Sequence, residues 1–336
     1  MSGNPAPLID PAAAGLSPDT PSSLDKEGAA TAPPSAIATV LHDPGAVIGL
    51  VIIAFYALVA LFAPLIEPYS TVEATCGVFQ PPSAAHWLGC DDGGIDMLSL
   101  VIRGSRISML VGLSASLIAI GIGTVVGVAA GYFGGWVDMV LMRITDYLIV
   151  IPQMVLMIVV AAVWGPSLTH VVIVIGVLMW TSPARLIRAQ VKGLRGRVFV
   201  RRAEALGASH VSIIRRHILP QLGPLLAANA VLAVTLAIFN ETALAFLGLS
   251  DSTAITWGTI LEHAFNRAAA SAGAWWAVVP AGLAVGGIVM GCYMLGRAIE
   301  DSLNPRLRIS YLSLRHWQMR TPPHRPEAAP RRGREA

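Results

Sequence analysis

Charge is scarce in this sequence. Asp, Glu, Lys and Arg make up only 13% of its 336 residues, against about 25% in a soluble domain. Lysine is scarcer still. Lys26 and Lys192 are the only two, and they precede Glu27 and Gly193. Neither completes the Gly-x-x-x-x-Gly-Lys-Ser/Thr loop that cradles nucleotide phosphates. Any ATP hydrolysis is therefore expected on another chain, and no cofactor on this one. Three cysteines, Cys76, Cys90 and Cys292, exclude a disulfide-dense scaffold and leave no Cys-x-x-Cys metal motif. The eight histidines are scattered without ligand spacing. Nothing reads as catalytic, so no enzyme activity and no metal site is expected.

What is abundant is apolar sequence. Hydrophobic residues make up 54% of the chain and the mean hydropathy is +0.65. Six apolar runs, near 46–66, 107–130, 144–164, 171–190, 222–245 and 277–296, each suit a hydrocarbon core of about 30 Å, which takes roughly 20 helical residues. A spanning segment satisfies its backbone internally, so the expected fold is all-α, a polytopic membrane protein with six transmembrane helices. Residues 1–44, with eight prolines, read as a disordered cytoplasmic tail with no signal-peptide pattern. The stretch after Arg308 is rich in Arg and Pro. It reads as a second tail, 309–336, suited to anionic lipid rather than nucleic acid, since no reading module accompanies it. Residues 45–308 form the membrane domain between them. With both termini in the cytoplasm, all 23 basic residues except Arg103, Arg106 and Arg267 fall inside, as the positive-inside rule requires.

The internal charge is concentrated in one place. Val191–Gln221, between the fourth and fifth runs, holds Lys192, Arg195, Arg197, Arg201, Arg202, Arg215 and Arg216. Val198, Ala205, Leu206, Val211, Ile214 and Ile218 interleave at helical spacing. Two short helices are expected, joined at Gly207, with Pro220 opening the next long helix. Such a unit lies outside the lipid, and its apolar face needs a partner.

The same residues carry a resemblance. Ala203–Glu204–Ala205–Leu206–Gly207–Ala208, followed by Leu219–Pro220, resembles the EAA loop of ABC importer permeases. The family's Glu-Ala-Ala falls on Arg201–Arg202–Ala203. The third alanine, Gly207 and Leu219–Pro220 match. Arg201 and Arg202 replace the usual acid and alanine, and Glu204 stands three positions further on. Further segments extend the likeness over about 43–308: Leu88, Gly89, Asp91, Gly94 and Asp96 in the loop 67–106, then Gly104–Ser108, Ala130–Asp138, Phe246–Leu249 with Trp257–Gly258, and Asp301–Leu307. Together they are similar to the C-type dipeptide, oligopeptide and nickel permeases. The resemblance implies a type I ABC importer architecture in a bacterial cytoplasmic membrane. It implies a homologous second permease and two ATPase subunits that carry ATP and Mg and dock on 191–221. It also implies an extracytoplasmic substrate-binding protein. Peptides are the implied cargo, with nickel or another small solute as the alternative. An ion-coupled carrier or a channel is the rival from another class.

Three points stay open at this level. Cys76 and Cys90 share the external loop and are either bonded or two free thiols. Asn240 and Glu241 lie near the outer end of the fifth run. Glu241 either lines the pathway, where it would meet a cationic amino group, or bonds a neighbouring helix. Glycines at four-residue intervals, Gly123, Gly127 and Gly131 and the pairs Gly282/Gly286 and Gly287/Gly291, mark close helix packing within the chain or against a partner.

Overall fold

The computed structural model describes residues 43–303; the expectations for the two tails lie outside them. The described residues are mostly helical and form no strand, with a single isolated bridge between Cys90 and Asp96. Five helical stretches are long and apolar enough to cross a membrane, and a sixth crossing follows if one bent pair is counted as a span.

Helix α1 (Pro44–Ile66) starts on Asp43, whose side chain accepts from the Gly45 N–H. Proline at the first helical position costs nothing there, because that N–H has no partner in any helix. The loop that follows is shorter than expected. Helix α2 (Met97–Phe133) begins ten residues before the apolar run does, capped by Asp96. Its polar first turns, with Ser99, Arg103 and Arg106, hide the helix from a hydropathy reading, yet Arg103 is neutralised by Glu67 at 3.2 Å.

The third apolar run is not straight. Helices α3 (Gly135–Val150) and α4 (Gln153–Trp164) meet at 86°. Pro152 lacks an N–H and forces Ile151 into an extended conformation, φ −77°, ψ 127°. The fourth run divides as well. Helix α5 (Leu168–Leu178) ends just before α6 (Thr181–Arg195), because Pro183 cannot donate to the carbonyl four residues back. At this break the Leu178 carbonyl accepts from the Gln153 amide at 2.7 Å.

Beyond α6 come α7 (Val198–Ala205) and α8 (His210–Ile213). A π-turn, Ile214–Ile218, joins α8 to α9 (Leu219–Phe246). Pro220 stands in the first turn of α9, as expected. Without an N–H it leaves the Arg216 carbonyl unserved, the chain widens to a π-turn, and a continuous rod runs from His210 to Phe246. The last elements are a short helix α10 (Trp257–Asn266) and α11 (Val279–Leu303). Helix α10 was not expected. Its start is a capping box in which Thr256 and Thr259 bond each other's backbone N–H.

Helix α2 is the centre, packed on α1, α3, α5, α6, α9 and α10. Three apolar clusters lie along it. One gathers Met97, Met109, Ile238, Trp257 and Ile288; the next Ala115, Ala119, Met157, Ile175 and Leu244; the third Tyr132, Ile187, Val191, Val200, Ile213 and Leu222. The third ties the charged segment to the membrane helices.

Candidate functional site

Helices α7 and α8 form a hairpin that projects from the end of α6. Leu206 caps α7, and Gly207 follows at φ +79°. This left-handed conformation costs a residue with a Cβ about 1–2 kcal/mol. The Ala208 N–H reaches the Ala203 carbonyl and the Gly207 N–H that of Glu204, both at 3.0 Å. These are the two bonds of a Schellman stop. Ser209 then caps α8 by accepting from the Ser212 N–H. The turn therefore has a fixed geometry.

The apolar residues of the hairpin divide differently from the sequence expectation. Val200, Ile213 and Ile218 face inward, with Ala203, Ala208, Ile214 and Leu219 packed beside them. Val198, Ala205, Leu206 and Val211 face out, and Leu206 at the tip is 88% exposed. Arg201, Arg202 and Glu204 share that outer surface, where none forms an ion pair among the described residues. Pro220 is exposed on the second arm.

A polar network fixes the base of the hairpin. Asp138, in the first turn of α3, accepts from Arg188 through both oxygens and from the Lys192 ammonium at 2.6 Å. The Tyr132 hydroxyl, at the end of α2, lies 2.9 Å from His210 Nδ1, and the Arg195 guanidinium stacks over the Tyr132 ring at 5.5 Å. Each motif residue was visible in the sequence, but contacts between positions 50 or more apart were not.

The other singled-out residues lie elsewhere. Asn240 is half-buried, with its amide on Met179 Sδ at 3.5 Å, beside the break between α5 and α6. Glu241 has no exposed surface. It lies among Ser108, Thr242 and Thr256, yet neither carboxylate oxygen has a hydrogen-bond partner of good geometry. It forms no ion pair among the described residues. Cys76 and Cys90 are joined as a disulfide, Cα–Cα 6.5 Å. Behind that loop is a cavity of about 300 Å³, lined in part by Asp91, Asp92, Ile260 and His263. Burial pushes the Asp91 carboxyl up from its ordinary value, against the opposing pull of the Ile95 N–H.

Residues 123–309 match the family described as binding-protein-dependent transport system inner membrane component. The chain belongs to that family. Residues 36–82 of this permease match a second family, the N-terminal TM domain of oligopeptide transport permease C. It is 36% identical to a dipeptide transport system permease protein of Alkalihalophilus pseudofirmus, over 78% of this chain and 86% of that one. It is 33% identical to an oligopeptide transport system permease protein of Mycobacterium tuberculosis, over 80% and 92%. It is also 33% identical to a glutathione transport system permease protein of Pectobacterium atrosepticum, over 68% and 75%. The permease is accordingly a multi-pass inner-membrane protein.

Two substitutions test the geometry. Asp138→Asn keeps the shape but takes from Arg188 and Lys192 the carboxylate they both bond. A loss of about 1–2 kcal/mol follows from hydrogen bonds of this kind, read as a thermal midpoint several degrees lower in detergent. An unchanged midpoint would show the contact to be idle. Glu241→Gln should act in the opposite direction. It replaces a buried carboxyl without a partner by a neutral group of the same shape, so the midpoint should rise. A fall would reveal a partner for the carboxylate.

Proposed function

We propose that this permease is one transmembrane half of an ATP-driven importer of dipeptides or oligopeptides. A homologous second permease forms the other half. Two ATPase subunits carry ATP and Mg and dock on the 198–219 hairpin, and an extracytoplasmic binding protein delivers the peptide. Both termini and the hairpin face the cytoplasm. The observation that carries the reading is mechanical. The hairpin exposes Leu206, Val198 and Val211 at its surface while each arm runs into a membrane helix, α6 on one side and the α8–α9 rod on the other. The dipeptide and oligopeptide permeases among its relatives support the peptide cargo.

Closure of the ATPases would push on the Gly207 turn. The Asp138–Arg188–Lys192 contacts and the third apolar cluster would pass that displacement to α2, α3 and α6 as a rigid-body rotation. Each nucleotide state shifts the equilibrium only by its differential affinity for the two arrangements. Gly282 and Gly286, with open space where a Cβ would stand, leave a smooth strip on α11 against which a second permease can pack.

Deleting the gene and following uptake of labelled dipeptides, pentapeptides and Ni2+ tests the cargo. Peptide uptake should fall to background and return with the gene supplied on a plasmid. Intact peptide uptake with loss of Ni2+ uptake would move the permease to the nickel class.

A further inference from the structure

The external loop places more chemistry together than a disulfide needs. The Cys76 and Cys90 sulfurs and a ring nitrogen of His86 all lie within 4.8 Å of one another. His86 is buried, and its Nδ1 is 2.9 Å from Asp96 Oδ1. Asp96 is buried too, and its second oxygen accepts from the Ser99 N–H and hydroxyl at 2.9 and 2.8 Å. A carboxylate behind a histidine fixes the ring and leaves the far nitrogen, Nε2, available. This arrangement recurs behind metal-ligating histidines. A structural bridge by itself requires neither the ring nor the buried acid.

The sulfurs are also brought together without the help of their bond. The Cys76 N–H donates to the Gly94 carbonyl at 3.1 Å and the Cys90 N–H to that of Gln80 at 2.9 Å. The Phe79 and Met97 N–H groups reach the carbonyls of Asp91 and Gly89. The Cys90 carbonyl accepts from the Trp276 indole at 3.2 Å. Cys76 Sγ lies 3.1 Å from the Gly94 carbonyl oxygen, so a thiol at that position has an acceptor waiting.

We propose that Cys76, Cys90 and His86 form a redox-gated site for a soft divalent cation of the zinc class, with Asp96 as the positioning residue behind His86. A dithiol reductant passes two electrons and two protons to the Cys76–Cys90 bond. It leaves as its own disulfide, and two thiols remain. The cation then takes both thiolates and His86 Nε2, releasing the two thiol protons, and its fourth position is left to solvent. Bridge and cation exclude each other, so the loop reports the redox state of its compartment.

The test uses the full chain in lipid nanodiscs, carrying Cys292→Ser to remove the remaining thiol, with Cd2+ as probe. The oxidised chain should take up no Cd2+. After reduction and removal of the reductant, it should bind Cd2+ in equal amount, with a thiolate-to-metal absorption band in the ultraviolet. Cys76→Ser or Cys90→Ser should abolish the band. His86→Gln and Asp96→Asn should each weaken binding, the latter about 10–100-fold. The proposal is overturned if the reduced chain takes no Cd2+ or loses its fold. A band that survives either serine variant, unchanged affinity in His86→Gln, or equal uptake by the oxidised chain would also overturn it.

Discussion

Leu206→Asp should abolish ATP-driven uptake while the permease still inserts and folds. Leu206 is almost free of contacts within the chain, and its side chain tops the Gly207 turn. A leucine so exposed gives the fold little. On the proposed reading it gives the docked ATPase an apolar anchor. Anchors of this kind are worth about 2 kcal/mol or more at the centre of an interface, roughly 30-fold in affinity. A buried aspartate also has to be desolvated. Uptake should therefore fall to background while the amount of protein in the membrane is unchanged. Normal uptake by Leu206→Asp would remove the hairpin tip from the docking surface.

Gly127→Leu should have the opposite profile, with loss of the folded chain itself. A Cβ at Gly127 would stand 2.7 Å from the Ala184 carbonyl oxygen and 2.9 Å from Ile187 Cβ. One turn either way, Gly123 meets Pro183 and Trp180, and Gly131 meets Val191 and Arg188. The three glycines let α2 lie directly on α6, and backbone atoms cannot yield as a side-chain tip can. Four added carbons force the helices apart, which overpacking data place at about 3 kcal/mol. Little monodisperse protein should be recovered from detergent. Gly286→Leu is the matched control. It meets nothing within 4 Å in this chain, so the fold should survive. Preserved folding of Gly127→Leu would mean that α2 and α6 are not in such close contact.

These contrasts show how far the sequence could be read. The six apolar runs were legible because lipid demands about 20 apolar residues in a row, and that demand leaves a mark residue by residue. The breaks at Pro152 and Pro183 also have a local cause, the N–H that proline lacks. Helix α2 before Ile107 was not, since Arg103 and Arg106 interrupt the apolar pattern and only the fold supplies Glu67 as a partner. Helix α10 offered a signal in Thr256–Thr259, but its ten residues are too short for a periodicity argument. In the hairpin, spacing grouped Val198, Leu206 and Val211 with Ile214 and Ile218. Only packing against α2 and α6 decides which of them turn inward. Glu241 could be recognised as unusual from its place in an apolar run, but not as enclosed. That depends on Ser108 and Thr256, which come from two other elements.

The most direct test of the coupling account is affinity purification of the full chain from mildly solubilised native membranes, with mass spectrometry of what accompanies it. Recovery of a second six-span permease and phosphate-loop ATPases, with the ATPases lost from Leu206→Asp, is the predicted result. A chain that comes away alone, folded and able to conduct solute in liposomes would contradict it and make the protein a channel or carrier.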